Sequence, residues 1–180
     1  MRHALALFVL FGLSACGPVF FIEAEIPRVC KAFQGETFPG VPVPTPDVPY
    51  TAPPLDFDFG TTLDELRLEG LETEIRISSM RLTAAGGLPN LDFLNTVNVN
   101  LLPPGGSSLA PLPVVDYARA AGASSSTSIE LGEVDIMDVY EYIRSGQFSV
   151  QITFLGTIPT SDWSLDVRPC LYARGKFQYL

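Results

Sequence analysis

Residues 147–154, QFSVQITF, place Phe148, Val150, Ile152 and Phe154 in one phase and Gln147, Ser149, Gln151 and Thr153 in the other. This two-residue alternation predicts a strand with one face on a core and one in water. Residues 156–161 (GTIPTS) supply a turn. Beyond it, Trp163, Leu165, Val167, Pro169, Leu171, Ala173 and Phe177 share one phase. Asp162, Ser164, Asp166, Arg168, Arg174 and Lys176 share the other, together with Cys170. Two such runs joined by a short turn predict an antiparallel pair.

The same period extends towards the N-terminus. Val97, Val99 and Leu101 alternate with Thr96, Asn98 and Asn100, and the strand stops at Pro103-Pro104-Gly105-Gly106. Ile75 and Ile77 alternate with Glu72, Glu74 and Arg76; after Ser78-Ser79 the phase shifts, with Met80 and Leu82 apolar. One slipped residue in a long strand predicts a β-bulge. Phe57 and Phe59 alternate with Asp56 and Asp58. Val19–Phe33 also reads as extended, and Pro27 within it predicts an edge strand. Val114 and Val115 and the stretch 129–134 are further short strands, while residues 122–128 (GASSSTS) have the composition of a flexible loop.

One segment departs from this rhythm. Ile136, Val139, Tyr140 and Ile143 fall at helical spacing, with Asp135 and Asp138 in the first turn and Arg144 in the last, as the helix dipole favours. The expected architecture is an all-β antiparallel β-sandwich of about seven strands with one short helix near 135–145.

Composition narrows the function. The net charge of -9 repels nucleic-acid backbones and anionic headgroups, so nucleic acid is not an expected partner. The single histidine is His3. From residue 16 onward, Ser-His-Asp and Cys-His nucleophiles and His-ligated metal sites are therefore excluded. Carboxylate pairs or a Ser-Lys pair using Lys31 or Lys176 would be needed for catalysis, and neither has a motif here. No enzyme activity and no cofactor are expected.

Two acidic groups are candidate cation sites. Asp56, Asp58, Asp64 and Glu65 lie near Gly60 but match no EF-hand spacing. Glu130, Glu133, Asp135, Asp138 and Glu141 form a denser group that a cation or a basic partner would relieve, with Asp135, Asp138 and Glu141 the weak metal candidates; dipole complementarity and solvation explain them as well.

The N-terminus is more specific. Met1-Arg2-His3 precedes an apolar run over residues 4–13 that is too short to span a bilayer, and the run ends in Leu13-Ser14-Ala15-Cys16. This resembles the signal peptide and lipobox of bacterial lipoproteins. The resemblance covers the first sixteen residues and implies cleavage before Cys16, lipid on its thiol and a membrane-anchored cell-envelope location. Gly17 lacks the aspartate that retains such proteins at the inner membrane, which implies the outer membrane in a diderm cell.

Lipid on Cys16 would leave Cys30 and Cys170 as an even pair in an oxidising compartment. A disulfide between them is expected, with two free buried thiols as the alternative. The domain reading is a signal peptide over 1–15, a lipid-anchored segment with a strand over 16–38, a Pro-rich connector over 39–54 and the sandwich over 55–180. The connector holds seven prolines and reads as an extended surface spacer, or else as a docking segment for an aromatic groove. The expected function is a non-catalytic envelope lipoprotein presenting a binding or structural surface, with a possible envelope protein as partner. A carrier of apolar ligand between the sheets is the rival, and a carboxylate-based hydrolase a distant third.

Overall fold

The computed structural model describes residues 20–43, 48–59, 72–134, 138–143 and 147–179. Ten strands follow in order: β1 (Phe20–Cys30), β2 (Phe33–Phe38), β3 (Tyr50–Thr51), β4 (Leu55–Asp58), β5 (Glu72–Ala85), β6 (Leu94–Leu101), β7 (Leu112–Ala118), β8 (Ser128–Glu133), β9 (Gln147–Gly156) and β10 (Trp163–Tyr179). A helical turn, α1 (Tyr140–Ile143), precedes β9.

All the pairings are antiparallel and run β1-β10-β5-β8-β7-β6-β9-β3, with β2 also on β10 and β4 also on β9. β1 and β2 lie end to end along one edge of β10, as β3 and β4 do along β9, so ten strands fill eight positions. Only two residue pairs, Val115–Glu133 and Asp116–Gly132, join β7 to β8. The sheet folds at this seam into two layers, β1/β2-β10-β5-β8 and β3/β4-β9-β6-β7. This is the strand order of a jelly roll, a β-sandwich built from two Greek keys.

The alternation read from the sequence places the core. Phe148, Val150, Ile152 and Phe154 on β9 and Trp163, Leu165, Val167, Leu171 and Ala173 on β10 are all buried. Aromatic rings join the layers: Phe33 of β2 lies 4.4 Å from Phe57 of β4, and Trp163 stacks at 4.8 Å on Phe38 and meets Phe154 edge-on at 5.2 Å. Such pairs add about 0.5–1.5 kcal/mol each beyond their area burial.

Two backbone irregularities fall where the sequence put them. The β5–β10 register shifts as Cys170 pairs with Ser79 and Leu171 with Ile77, so Ser78 is the bulged residue. β1 is an edge strand, and its register slips between Ile26 and Val29, around Pro27. At the end of β9, Gly156 has φ +153 and a Cβ there would lie 1.9 Å from the Phe93 carbonyl oxygen, so only glycine fits.

The sheet takes in more of the chain than the patterning marked. The sandwich takes in strands from Phe20 onward, rather than from residue 55: the segment 16–38 supplies β1 and β2, and the Pro-rich stretch 39–54 supplies β3. That stretch is bonded to the body through Val41 N–H to the Pro159 carbonyl and Ala52 N–H to the Ile152 carbonyl. Val114 and Val115 belong to a seven-residue strand, because a register shift on β7 turns both inward. Residues 122–128 are fastened: Leu91 and Ala84 donate to the carbonyls of Ser126 and Thr127, and Asp92 accepts from the Ser126 N–H.

Candidate functional site

Cys16 lies outside the described residues. Cys30 and Cys170 form a disulfide that closes a sequence separation of 140 residues. They are directly opposed on β1 and β10. Cys170 shares its phase with the polar residues of β10, so the bond lies on the face of that strand turned away from the core. Arg28 reaches across the same face, its Nε donating to Ser78 Oγ and its Nη2 to Ser79 Oγ at 2.8 Å each, while Ser78 Oγ donates to the Cys170 carbonyl at 3.2 Å. The outermost strand is thus fixed to β5 as well as to β10.

The acidic helix resolves into separate roles. Asp138 Oδ1 accepts the Tyr140 N–H at 2.9 Å, capping α1, and the Ile75 N–H at 3.1 Å, docking the turn on β5. Val139 N–H completes the clamp by donating to the Ile75 carbonyl. This oxygen serves backbone donors, as the dipole reading allows. Glu141 is exposed, and Asp135 lies outside the described residues. Among the described residues, no group of three or more Cys, His, Asp or Glu is placed to hold a metal ion.

A solvent-facing cleft of about 450 Å³ opens at the end of the sandwich where β4 finishes and β9 begins. Asp56, Asp58 and Gln147 line one side; Pro103, Pro104 and Tyr142 line the other. The alternation on β4 turns Phe57 into the core and leaves both aspartates outside. Each is held by its cross-strand partner on β9: Ser149 Oγ bonds Asp56, and Gln147 Nε2 donates to Asp58 Oδ2 at 3.3 Å. The opposite wall is pinned by Leu102 N–H to the Ser149 carbonyl and by Tyr142 Oη to the Ala110 carbonyl at 2.6 Å. Lys31, weighed as a Ser-Lys base, donates to the Asp58 carbonyl and lies 5.7 Å from the centre of the Phe33 ring. It bridges the edges of the two layers. Asp64 and Glu65 lie outside the described residues.

Sequence reading found the two aspartates but not the cleft. Its far wall comes from the segment after β6 and from α1, brought together only by the fold; Pro103-Pro104-Gly105 carried no signal beyond ending a strand. The opposite end of the sandwich holds a second polar centre that patterning missed. Arg119 donates to Asp92 at 2.8 Å and also reaches the carbonyl of Ser124 at 3.1 Å. Hydrogen bonds from Ser125 and the Ser126 backbone, together with Arg119, hold the Asp92 carboxyl below the usual carboxylate range.

No family model matches the chain, and no curated protein matches it. Among solved structures, a decameric BFDV capsid protein is similar at 10% sequence identity and a TM-score of 0.41, over 88% of this chain and 99% of that one. The jelly-roll order read from strand pairing stands independently of that likeness.

Proposed function

We propose that this is a non-catalytic lipoprotein of the cell envelope, held at a membrane by lipid on Cys16 and presenting its sandwich as a binding or structural surface to envelope partners. The Cys30–Cys170 disulfide carries this reading. It occupies two of the three cysteines and leaves the lipobox thiol for acylation. Disulfides of this kind persist in oxidising compartments outside the cytosol, where the apolar leader would deliver the chain. Gly17 favours the outer membrane in a diderm cell.

Two features support display over carriage or turnover. Core residues from both layers, among them Phe38, Leu82, Val99 and Phe154, are sealed from solvent at 0–1% exposure, and the cleft opens outward instead of between the layers. Asp56 and Asp58 bond Ser149 and Gln147, their cross-strand partners on β9, which holds both carboxylates at the wall of the cleft.

Intact mass of the protein extracted from membranes, alkylated without reductant, tests the reading. Cleavage before Cys16, added acyl chains and an unalkylated Cys30–Cys170 pair are expected. A soluble chain with no acyl mass would refute the anchored location, and alkylation of both cysteines would remove its main structural support.

A further inference from the structure

We propose that the outer face of the β10–β5–β8 layer is the surface that meets a partner, and that the partner brings an acidic protein segment whose carboxylates seat on Arg28, Arg81 and Arg168. This deepens the display role proposed above, on which it rests, by giving it a place and a chemistry. Arg168 of β10 and Arg81 of β5 stand directly opposite each other in the register, and both are exposed. Like charges so placed destabilise a sheet. Arg81 is compensated on its far side, where its Nη2 lies 2.7 Å from Glu130 Oε2 on β8. Among the described residues, no hydrogen bond or ion pair engages Arg168. A sheet that keeps this conflict gives up stability at a place where an incoming carboxylate would restore it.

Arg28 completes the group. It is exposed on the edge strand and reaches over β10, where the hydroxyls of Ser78 and Ser79 hold its guanidinium next along β5 to Arg81. The bond from Arg81, with Ser79 and the charge of Arg28 adding to it, keeps the Glu130 carboxyl below the usual carboxylate range, so an ionised carboxylate is already favoured at this spot. Asp166, next along the same face of β10, is turned to the Gly35 N–H at 2.9 Å. The ground between the arginines is low: Thr83, Ser128 and Gly132 share the face, and the space over Gly132 is open. Planar guanidiniums make paired bonds to carboxylates, and arginine is enriched where proteins meet. The size of the island selects the partner. On a chain of net charge -9, a long polyanion would run off the arginines onto acidic surface, whereas a short acidic segment touches the island alone.

Arg168→Glu separates binding from stability. It sets a carboxylate opposite Arg81, so Tm should rise, while affinity for an acidic segment should fall by about tenfold or more. The full-length protein is titrated against a fluorescent peptide of alternating glutamate and serine, with the glutamine–serine peptide as control, at about 0.15 M salt. Fluorescence anisotropy should show binding of the glutamate peptide alone, weakened by Arg168→Glu and, separately, by Arg28→Ala. No binding of the glutamate peptide, or binding that survives both substitutions, overturns the site. A fall in Tm on Arg168→Glu overturns the charge conflict from which the site is argued. Polyphosphate that binds the same arginines more tightly than the peptide overturns the choice of an acidic protein as partner. A chain that carries no acyl mass yet binds the peptide through these arginines overturns the membrane location alone and leaves the site standing.

Discussion

Replacing both Cys30 and Cys170 with alanine should destabilise the protein by several kcal/mol, and the size follows from the length of chain the bond closes. With a separation of 140 residues, the chain-entropy relation gives about 17 cal/mol/K of constraint on the unfolded state, or about 5 kcal/mol at 25 °C. That figure is an upper bound, because a compact unfolded chain already restricts the loop. For a chain of this size, roughly 2–4 °C in Tm per kcal/mol gives a fall of about 10–20 °C. Guanidinium unfolding followed by far-ultraviolet circular dichroism, beside a thermal scan, measures both. The m-value should rise as well, because the unconstrained unfolded chain exposes more surface. Paired loss of about 1 kcal/mol or less with an unchanged m-value would refute the entropic argument. It would mean that the β1–β10 ladder and the Arg28 contacts, which both survive the substitution, do the fastening.

Three further outcomes are expected. Asp138→Ala removes the cap of α1 and strands the Ile75 N–H, and should cost about 1–3 kcal/mol by thermal unfolding, with Asp138→Asn largely restoring stability. Gly156→Ala should destabilise by more than the roughly 1 kcal/mol that such a replacement gains where the backbone tolerates it, since its Cβ would collide with the Phe93 carbonyl; an unchanged Tm would contradict the backbone geometry at that turn. Glu130 is lowered chiefly by its bond from Arg81, and Asp92 chiefly by that from Ser125. Lowered carboxyls stabilise above their unfolded pKa and lose that contribution as pH falls through the folded value. Tm should therefore drop on acidification below about pH 4, the unfolded carboxylate range, and less so in an Asp92→Asn, Glu130→Gln double variant.

Much of the fold was legible because its signals are local. A two-residue period states strand and inward face together, and it did so for Phe148–Phe154 on β9 and for Trp163–Ala173 on β10. The phase slip at Ser78-Ser79 and the proline at position 27 likewise marked a bulge and an edge strand. Reading failed where the determinant was distant. Phe33–Phe38 has no clear period, since two of its six residues pack and the rest face water, so β2 exists because β10 offers an unpaired edge. Tyr50–Thr51 becomes β3 within a proline-rich stretch for the same reason, on β9. Residues 122–128 looked flexible by composition, yet Asp92, Arg119 and the carbonyl and amide groups of the neighbouring turns hold them.

By itself, then, the sequence determined the all-β class, the inward faces of the long strands and the absence of histidine after residue 3. Each of these depends on residue type or on spacing along a single strand. Tertiary structure alone decided the jelly-roll order, the inclusion of residues 20–58 in both layers, the capping role of Asp138 and the cleft beside Asp56 and Asp58. Those depend on which strand edges meet across the folded sheet, and hydrogen bonding between edges distant in the chain leaves no period in the sequence that makes them.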